Sequence, residues 1–409
     1  MQKERIKMWT INTYNKIAEE GLNKFEPEQY SLNETDDPDA LLLRSQDLQS
    51  MKFTKNLKAV ARAGAGTNNI PVAACSEKGI VVFNTPGANA NAVKELVLAS
   101  MILAARPILD GVKWVNTLKG PDISQQVENE KKRFIGTEIA GKQLGVIGLG
   151  AIGAMVANDA YRLGLDVVGY DPYVSVDTAW TISRRVKRVH SIEEVLADSD
   201  YVTVHVPLIK ETKNLFDTQT ISLMKEGAIL LNFSRGELVE SEAVIQALRK
   251  GRLKQYFTDF AEEALVHEEK AVVFPHLGAS TSEAEINCAK IAADTVKYFL
   301  ETGNIIHSVN FPTVEIAFTA PIRLAIVNRN VTNMIGQMSM ELAKDAINIL
   351  NIINRGRGDY AYTLIDIEEL PDEQLEVVVQ RIKKVTDILS VRVIRNQTNN
   401  TKEDQYGSN

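Results

Sequence analysis

The chain has 409 residues, 44% of them hydrophobic and 24% charged, an ordinary globular composition with room for two or three domains. A formal net charge of −7 excludes general nucleic-acid binding, which needs a basic face, so any anionic ligand falls to a few local arginines or lysines. The two cysteines, Cys75 and Cys288, have no metal-ligand or redox spacing; no metal is expected, and two inert thiols suit a reducing cytoplasm.

The N-terminal "MQKERIKMWT" is charged and lacks the apolar core of a signal peptide. "DALLLRS", "LKAVARAG" and "GIVVFNTPG" then read as strands with loops at their carboxyl ends. The apolar window Ala92 to Ile108 carries Lys94, Glu95 and Arg106, so it is too short and too charged to span a bilayer. Its Val93, Leu96, Val97, Ser100, Met101 and Ala104 recur at helical spacing, which predicts a buried helix or a subunit-interface helix. "ENEKKRF" is a charged surface segment. "QLGVIGLG", "DVVGYDP", "SDYVTVHVP", "AILLNFSRG" and "VVFPHLG" continue the strand series, and their alternation with helical patterns predicts βαβ units in mostly parallel sheets.

Beyond "NFPTVE" the pattern changes. "IRLAIVN", "MIGQMSMELAKD", "INILNIIN", "YAYTLIDI", "EQLEVVVQRIKKV" and "ILSVRVI" read as βαββαβ, a small ferredoxin-like domain. The expected division is a discontinuous lobe of residues 1–90 plus 280–312, a dinucleotide-binding domain of 91–279, the βαββαβ domain at 318–396, and a polar, disordered tail at 397–409.

Gly148, Gly150 and Gly153 form G-x-G-x-x-G with Ala151 and Ile152, between a strand and a helical run. The first glycine permits the turn, the second lets backbone amides reach a pyrophosphate, and the third allows close helix–strand packing. Asp171, at the end of the next strand, can accept hydrogen bonds from a ribose and would repel a 2′-phosphate, which favours NAD over NADP. Gly64-Ala65-Gly66 lacks the third glycine and reads instead as an anion nest beside Arg62. His205, Arg235, Asp259, Glu263 and His276 sit at strand ends in the second half, where such sheets open their ligand crevice. An arginine there can bind a carboxylate and polarise a carbonyl, a histidine can take a hydroxyl proton, and a glutamate can orient the imidazole.

"GVIGLGAIG", "NFSRGELV" and "PHLGAST", in this order, resemble the D-isomer-specific 2-hydroxyacid dehydrogenases. The resemblance implies two Rossmann-like or flavodoxin-like lobes with parallel sheets and the catalytic set Arg235, Glu263 and His276, with the adjacent Glu262 as the alternative carboxylate because Ala261 stands where the family has a proline. It further implies that Asp259 binds the nicotinamide amide, that His205, Pro207 and Thr212 lie by the adenosine, and that Phe233, Ser234, Arg235, His276, Gly278 and Ala279 line the cofactor. "LLLRS", "ARAGAGTNN" and "NTPGANANAVKEL" resemble the phosphoglycerate-oxidising branch, which implies a small-molecule substrate, 3-phosphoglycerate, held by Arg44, Ser45, Arg62, Gly64, Ala65, Gly66, Asn89, Arg235 and His276. The C-terminal segment resembles an ACT regulatory domain, with Asn330 and Asn348 at positions that contact an L-serine effector in relatives. Asn328 stands where some relatives have histidine. A homodimer or homotetramer follows from the same resemblance. Reduction of another 2-oxo acid (2-oxoglutarate, glyoxylate or hydroxypyruvate) and NADH sensing without turnover are the rival readings.

Overall fold

The computed structural model describes residues 8–396; the expected tail at 397–409 lies outside them. The chain forms two compact units, Met1–Ala88 with Glu285–Asn409, and Asn89–Ala284.

The first unit opens with a five-stranded parallel sheet of β1 (Trp9–Tyr14), β2 (Tyr30–Leu32), β3 (Ala40–Leu43), β4 (Ala59–Arg62) and β5 (Val81–Phe83), in the order β2-β1-β3-β4-β5. Alternate residues of the continuous apolar runs serve opposite faces, as expected of a sheet covered on both sides. Ala40, Leu42, Ala59, Ala61, Val81 and Phe83 join one core, and Leu41, Leu43, Val60 and Val82 the other. The strand series legible in the sequence begins at Asp39 and omits β1, where only Trp9 and Ile11 are buried and the residues between and after them are mostly polar. The 21-residue helix Ser282–Thr302 packs Ala289, Ala292, Ala293, Val296, Phe299 and Leu300 into the first core.

The second unit is built on a seven-stranded sheet of β6 (Gln143–Ile147), β7 (Asp166–Tyr170), β8 (Lys187–Arg188), β9 (Tyr201–Val204), β10 (Ala228–Asn232), β11 (Leu253–Thr258) and β12 (Ala271–Val273). All neighbours are parallel, in the order β12-β11-β10-β9-β6-β7-β8. The chain winds outward from β6 through β7 to β8, then returns to β9 on the other flank of β6. That reversal is the switch point at which doubly wound sheets open a crevice. The helix Ala90–Ala105 buries Val93, Val97, Met101 and Ala104 against this unit, on the face that the helical spacing anticipates.

The C-terminal βαββαβ segment belongs to the first unit. Its antiparallel strands β13 (Ile322–Arg329), β14 (Ile349–Arg357), β15 (Tyr360–Ile367) and β16 (Ile388–Arg395) run in the order β14-β15-β13-β16. Leu324, Ile326 and Ile365 face a core closed by the helices Met334–Ala343 and Asp372–Lys383. Ala325, Val327, Tyr362, Leu364 and Ile394, on the opposite face, pack with Phe299 and Leu300. The central strands β13 and β15 are therefore covered on both sides, while the edge strand β14 is largely exposed, and one of the sheet's two cores is shared with the parallel sheet of the first unit.

Two arginines tie the C-terminal sheet to the long helix. Arg323, fully buried, pairs with Asp366 through Nε (2.6 Å) and Nη2 (2.9 Å) and donates Nη1 to the Thr302 carbonyl at 2.9 Å. Arg392 donates to the carbonyls of Phe299 (3.2 Å) and Leu300 (3.0 Å). These carbonyls sit in the last turn of Ser282–Thr302, where the helix runs out of backbone donors and favours positive charge, although the Phe299 carbonyl also accepts the Gly303 amide at 2.9 Å.

Candidate active site

The glycine loop follows β6. Gly148 has φ 90°, and a Cβ there would come within 2.8 Å of the His205 backbone. A Cβ on Gly153 would meet the Gly148 carbonyl at 1.9 Å, so only glycine allows this packing. A Cβ on Gly150 would meet nothing within 4 Å: this position faces open space. Gly150 caps the helix Ala151–Arg162 with no side-chain hydrogen bond, which leaves first-turn amides of Ala151, Ile152 and their neighbours for an anion. Asp171 braces the loop: Oδ2 accepts from the Leu149 amide and Oδ1 from the Tyr173 amide, both at 2.8 Å. Each oxygen keeps a second lone pair for a ribose hydroxyl.

His205 follows β9, with its amide donating to the Ile147 carbonyl at 2.7 Å. Its Nε2 lies 3.0 Å from the Thr203 hydroxyl, while Nδ1 is buried without a partner. Burial pushes its pKa down to about 4. Thr212 donates its hydroxyl to the Pro207 carbonyl at 2.6 Å and so closes the loop after His205. Ser234 donates to the Val206 carbonyl at 2.8 Å, which ties that loop to the one after β10, and buried Phe233 packs its ring 6.1 Å from Phe274.

Asn232 is a residue that motif reading does not single out. It is fully buried at the end of β10; its Nδ2 donates to the Arg235 carbonyl at 2.8 Å and its Oδ1 accepts from the Ser234 amide at 3.2 Å. It thereby shapes the turn that presents the exposed Arg235. An asparagine at a strand end before a turn was the available signal.

Asp259 follows β11 and is 3% exposed. Its Oδ2 accepts from the Gly278 amide at 2.8 Å, and Oδ1 is buried without a partner. Burial holds its carboxyl above the usual range, against the opposing influence of the Gly278 amide and of the nearby His276 and Arg235. Asp259, His276 and Arg235 therefore share one locality. The His276 amide donates to the Asp259 carbonyl at 3.1 Å, its ring stands edge-on to Phe260 at 5.2 Å, and its φ of 40° puts it in the left-handed region. Such strain in a non-glycine residue concentrates at functional sites. A Cβ on Gly278 would press within 3.1 Å of Asp259 Oδ2, so the glycine allows that contact, and half-buried Ala279 follows.

The two candidate glutamates differ. Glu262 accepts the Ser241 hydroxyl at 2.6 Å, whereas Glu263 opens the short helix Glu263–Val266 and is exposed. Among the described residues, no hydrogen bond joins either carboxylate to the His276 ring.

The residues expected around a substrate divide between the units, with Asn89 the first residue of the second and the cap of Ala90–Ala105. In the first unit, Leu43 pairs with Arg62 across β3 and β4, which brings Arg44 and Arg62 to one strand edge. Arg62 donates Nε to the Arg44 carbonyl at 2.9 Å, and Arg44 Nη1 lies 2.7 Å from Glu285. The Ser45 amide donates to Asn15 Oδ1 at 2.9 Å. The Gly64-Ala65-Gly66 loop is held by the Thr85 amide on the Gly64 carbonyl (3.1 Å) and Asn84 Nδ2 on the Ala65 carbonyl (2.6 Å). Asn330 donates Nδ2 to the Gly358 carbonyl, and the Asn348 amide donates to Glu368 Oε1, both at 3.0 Å. The register puts these asparagines at opposite ends of the C-terminal sheet, so a single chain does not bring them together.

The open Gly150 position, the braced Asp171 and the unpaired Oδ1 of Asp259 together fit a dinucleotide: pyrophosphate on the helix amides, ribose on Asp171, and a carboxamide donor on Asp259.

Residues 98–278 match the family described as D-isomer specific 2-hydroxyacid dehydrogenase, NAD binding domain. The chain is 33% identical over 337 residues to a D-3-phosphoglycerate dehydrogenase of Methanocaldococcus jannaschii, covering 80% of this chain and 61% of that one. It is 30% identical to the enzyme of that name from Haemophilus influenzae, covering 85% of this chain and 83% of the relative. Against other relatives of the same name it spans about half their length. Among solved structures, an NAD+-bound 3-phosphoglycerate dehydrogenase of Entamoeba histolytica is similar with a TM-score of 0.59 and 26% identity, over 74% of this chain and 99% of that one. Among the described residues, no helix is long and apolar enough to cross a membrane.

Proposed function

The chain belongs to the D-isomer-specific 2-hydroxyacid dehydrogenase family, and from that premise we propose that it uses NAD to oxidise 3-phospho-D-glycerate to 3-phosphohydroxypyruvate, the first step of L-serine biosynthesis. The observation that carries the reading is the convergence of three strand ends: the His276 amide donates to the Asp259 carbonyl, and Phe260, beside Asp259, lies against both the His276 ring and Gly236, the neighbour of Arg235, in the unit that holds the open glycine loop. NAD, when bound, accepts the hydride that leaves C2 of the hydroxy acid. Arg235 binds the carboxylate and polarises the forming carbonyl. His276 takes the hydroxyl proton as the hydride leaves. Asp259 Oδ1 orients the ring that carries the reactive carbon by accepting from its amide. Glu262 is engaged with Ser241, which supports Glu263 as the carboxylate that orients His276. Arg44 and Arg62 supply the charge for a phosphate, which a non-phosphorylated acid would not need.

The enzyme acts in the cytoplasm as a homodimer or homotetramer, with L-serine as an effector at the C-terminal domain. Separation of Asn330 and Asn348 along one sheet is compatible with an effector site shared between two copies.

The test is NADH absorbance with phosphoglycerate, glycerate, lactate and 2-hydroxyglutarate in parallel, with and without L-serine. Turnover confined to phosphoglycerate is expected. Turnover of another acid instead selects a sibling reaction, and NADH binding without turnover of any acid selects a sensor. His276→Ala should lower kcat by about 100-fold or more while NAD still binds, in line with the usual acid–base contribution.

A further inference from the structure

The arginine pair of the first unit has an acidic neighbour for which the proposed reaction has no role. Glu285 stands in the first turn of Ser282–Thr302, where the helix dipole favours a carboxylate. Its Oε1 is 2.7 Å from Arg44 Nη1, with side chains 43% and 38% exposed. Arg62 is bound to the Arg44 backbone, so the three charges form one group. Cys288, one turn further along the helix, belongs to the same locality: burial raises its thiol pKa, and the charges of Arg44 and Arg62 oppose that rise. The Glu285 carboxylate offsets the charge that Arg44 would otherwise offer an anion.

We propose that Glu285 is a specificity-determining residue, an internal anion that occupies Arg44 until a doubly charged phosphate displaces it. The inference rests on the assignment of Arg44 to the substrate's phosphate. A singly charged ligand that takes Arg44 from Glu285 exchanges one unit of charge for another and gains little. A dianionic phosphate gains a further charge and can span both arginines, since each guanidinium presents several donors. The pair therefore filters small monoanions from the phosphate pocket at a modest cost in phosphate affinity. Because the pair is exposed, that cost is bounded at about two- to fivefold in binding.

The experiment uses the full chain, with thermal-shift titrations by sodium phosphate at pH 8 and by sodium acetate at matched ionic strength. In the wild type, phosphate should raise the unfolding midpoint and acetate should not. Glu285→Gln should lower the half-saturating phosphate concentration about two- to fivefold and bring out a response to acetate. In an Arg44→Ala background, adding Glu285→Gln should make no further difference to either titration. An unchanged or weaker phosphate response in Glu285→Gln overturns the proposal, because Glu285 would then be aiding Arg44 rather than competing for it. So does an effect of the glutamine that survives Arg44→Ala. In Glu285→Gln the KM for phosphoglycerate should fall about two- to fivefold with kcat within twofold. If the wild type does not oxidise phosphoglycerate, the substrate assignment fails by itself, and the phosphate titration still decides the role of Glu285.

Discussion

At the scale of single residues, the candidate site is governed by which polar atoms are buried and whether they are paired. Asp259 keeps one oxygen without a partner, and such an atom is costly unless a ligand completes it. His205 is the parallel case, with an unpaired Nδ1 and a pKa pushed down to about 4 by burial. Its ordinary value in the unfolded chain is near 6.5. As pH falls between these two values, the unfolded chain takes up the proton first, so the stability present above about pH 6.5 is lost toward pH 4. Urea unfolding should therefore weaken between pH 7.5 and pH 5, by up to about 2 kcal/mol from this group. His205→Gln should remove that part of the slope; an identical slope in the variant would refute the assignment. The glycine loop and the strand-end Arg235 and His276 were legible as motifs because glycine, arginine and histidine at strand ends are local signals. Asn232 offered only the weaker signal of an asparagine before a turn, because its hydrogen bonds to Ser234 and Arg235 form only once that turn closes.

At the scale of elements, the helix Ser282–Thr302 carries the most varied set of contacts. Its first turn holds Glu285 against Arg44, its middle fills the first core, and its last carbonyls receive Arg323 and Arg392 from the C-terminal sheet. The fully buried Arg323–Asp366 pair anchors that end. Asp366→Asn leaves the guanidinium buried without its counter-charge, and should cost about 3–5 kcal/mol, read as a fall in the urea midpoint. A change under about 1 kcal/mol would mean that the carbonyls of Thr302, Ile316 and Ala317 satisfy the arginine without the carboxylate. The helix itself was hard to extract from sequence, since no Gly or Pro marks where it leaves one unit and enters the other.

At the scale of the whole molecule, the two compact units cut across the order of the chain. The βαββαβ pattern correctly anticipated four strands and two helices, yet that domain shares a core with the parallel lobe and is not packed by itself alone. A chain ending at residue 317 would uncover Phe299, Leu300 and Ile305, apolar surface too extensive to leave in water. Calorimetry of that truncation should give an unfolding midpoint lower by about 10 °C or more, or an aggregated product. An unaltered midpoint would show that the shared core contributes nothing to the lobe.

Periodicity and motif spacing by themselves determined the parallel βαβ series and the dinucleotide loop, because each is written within a few residues and obeys local backbone rules. Only the tertiary structure decided that Glu262 meets Ser241, that Arg44 meets Glu285, that Asn330 and Asn348 stand apart, and that the C-terminal sheet is built into the first lobe. Those outcomes depend on segments as distant as Arg44 and Glu285, whose meeting is set by strand order and core packing rather than by any local pattern.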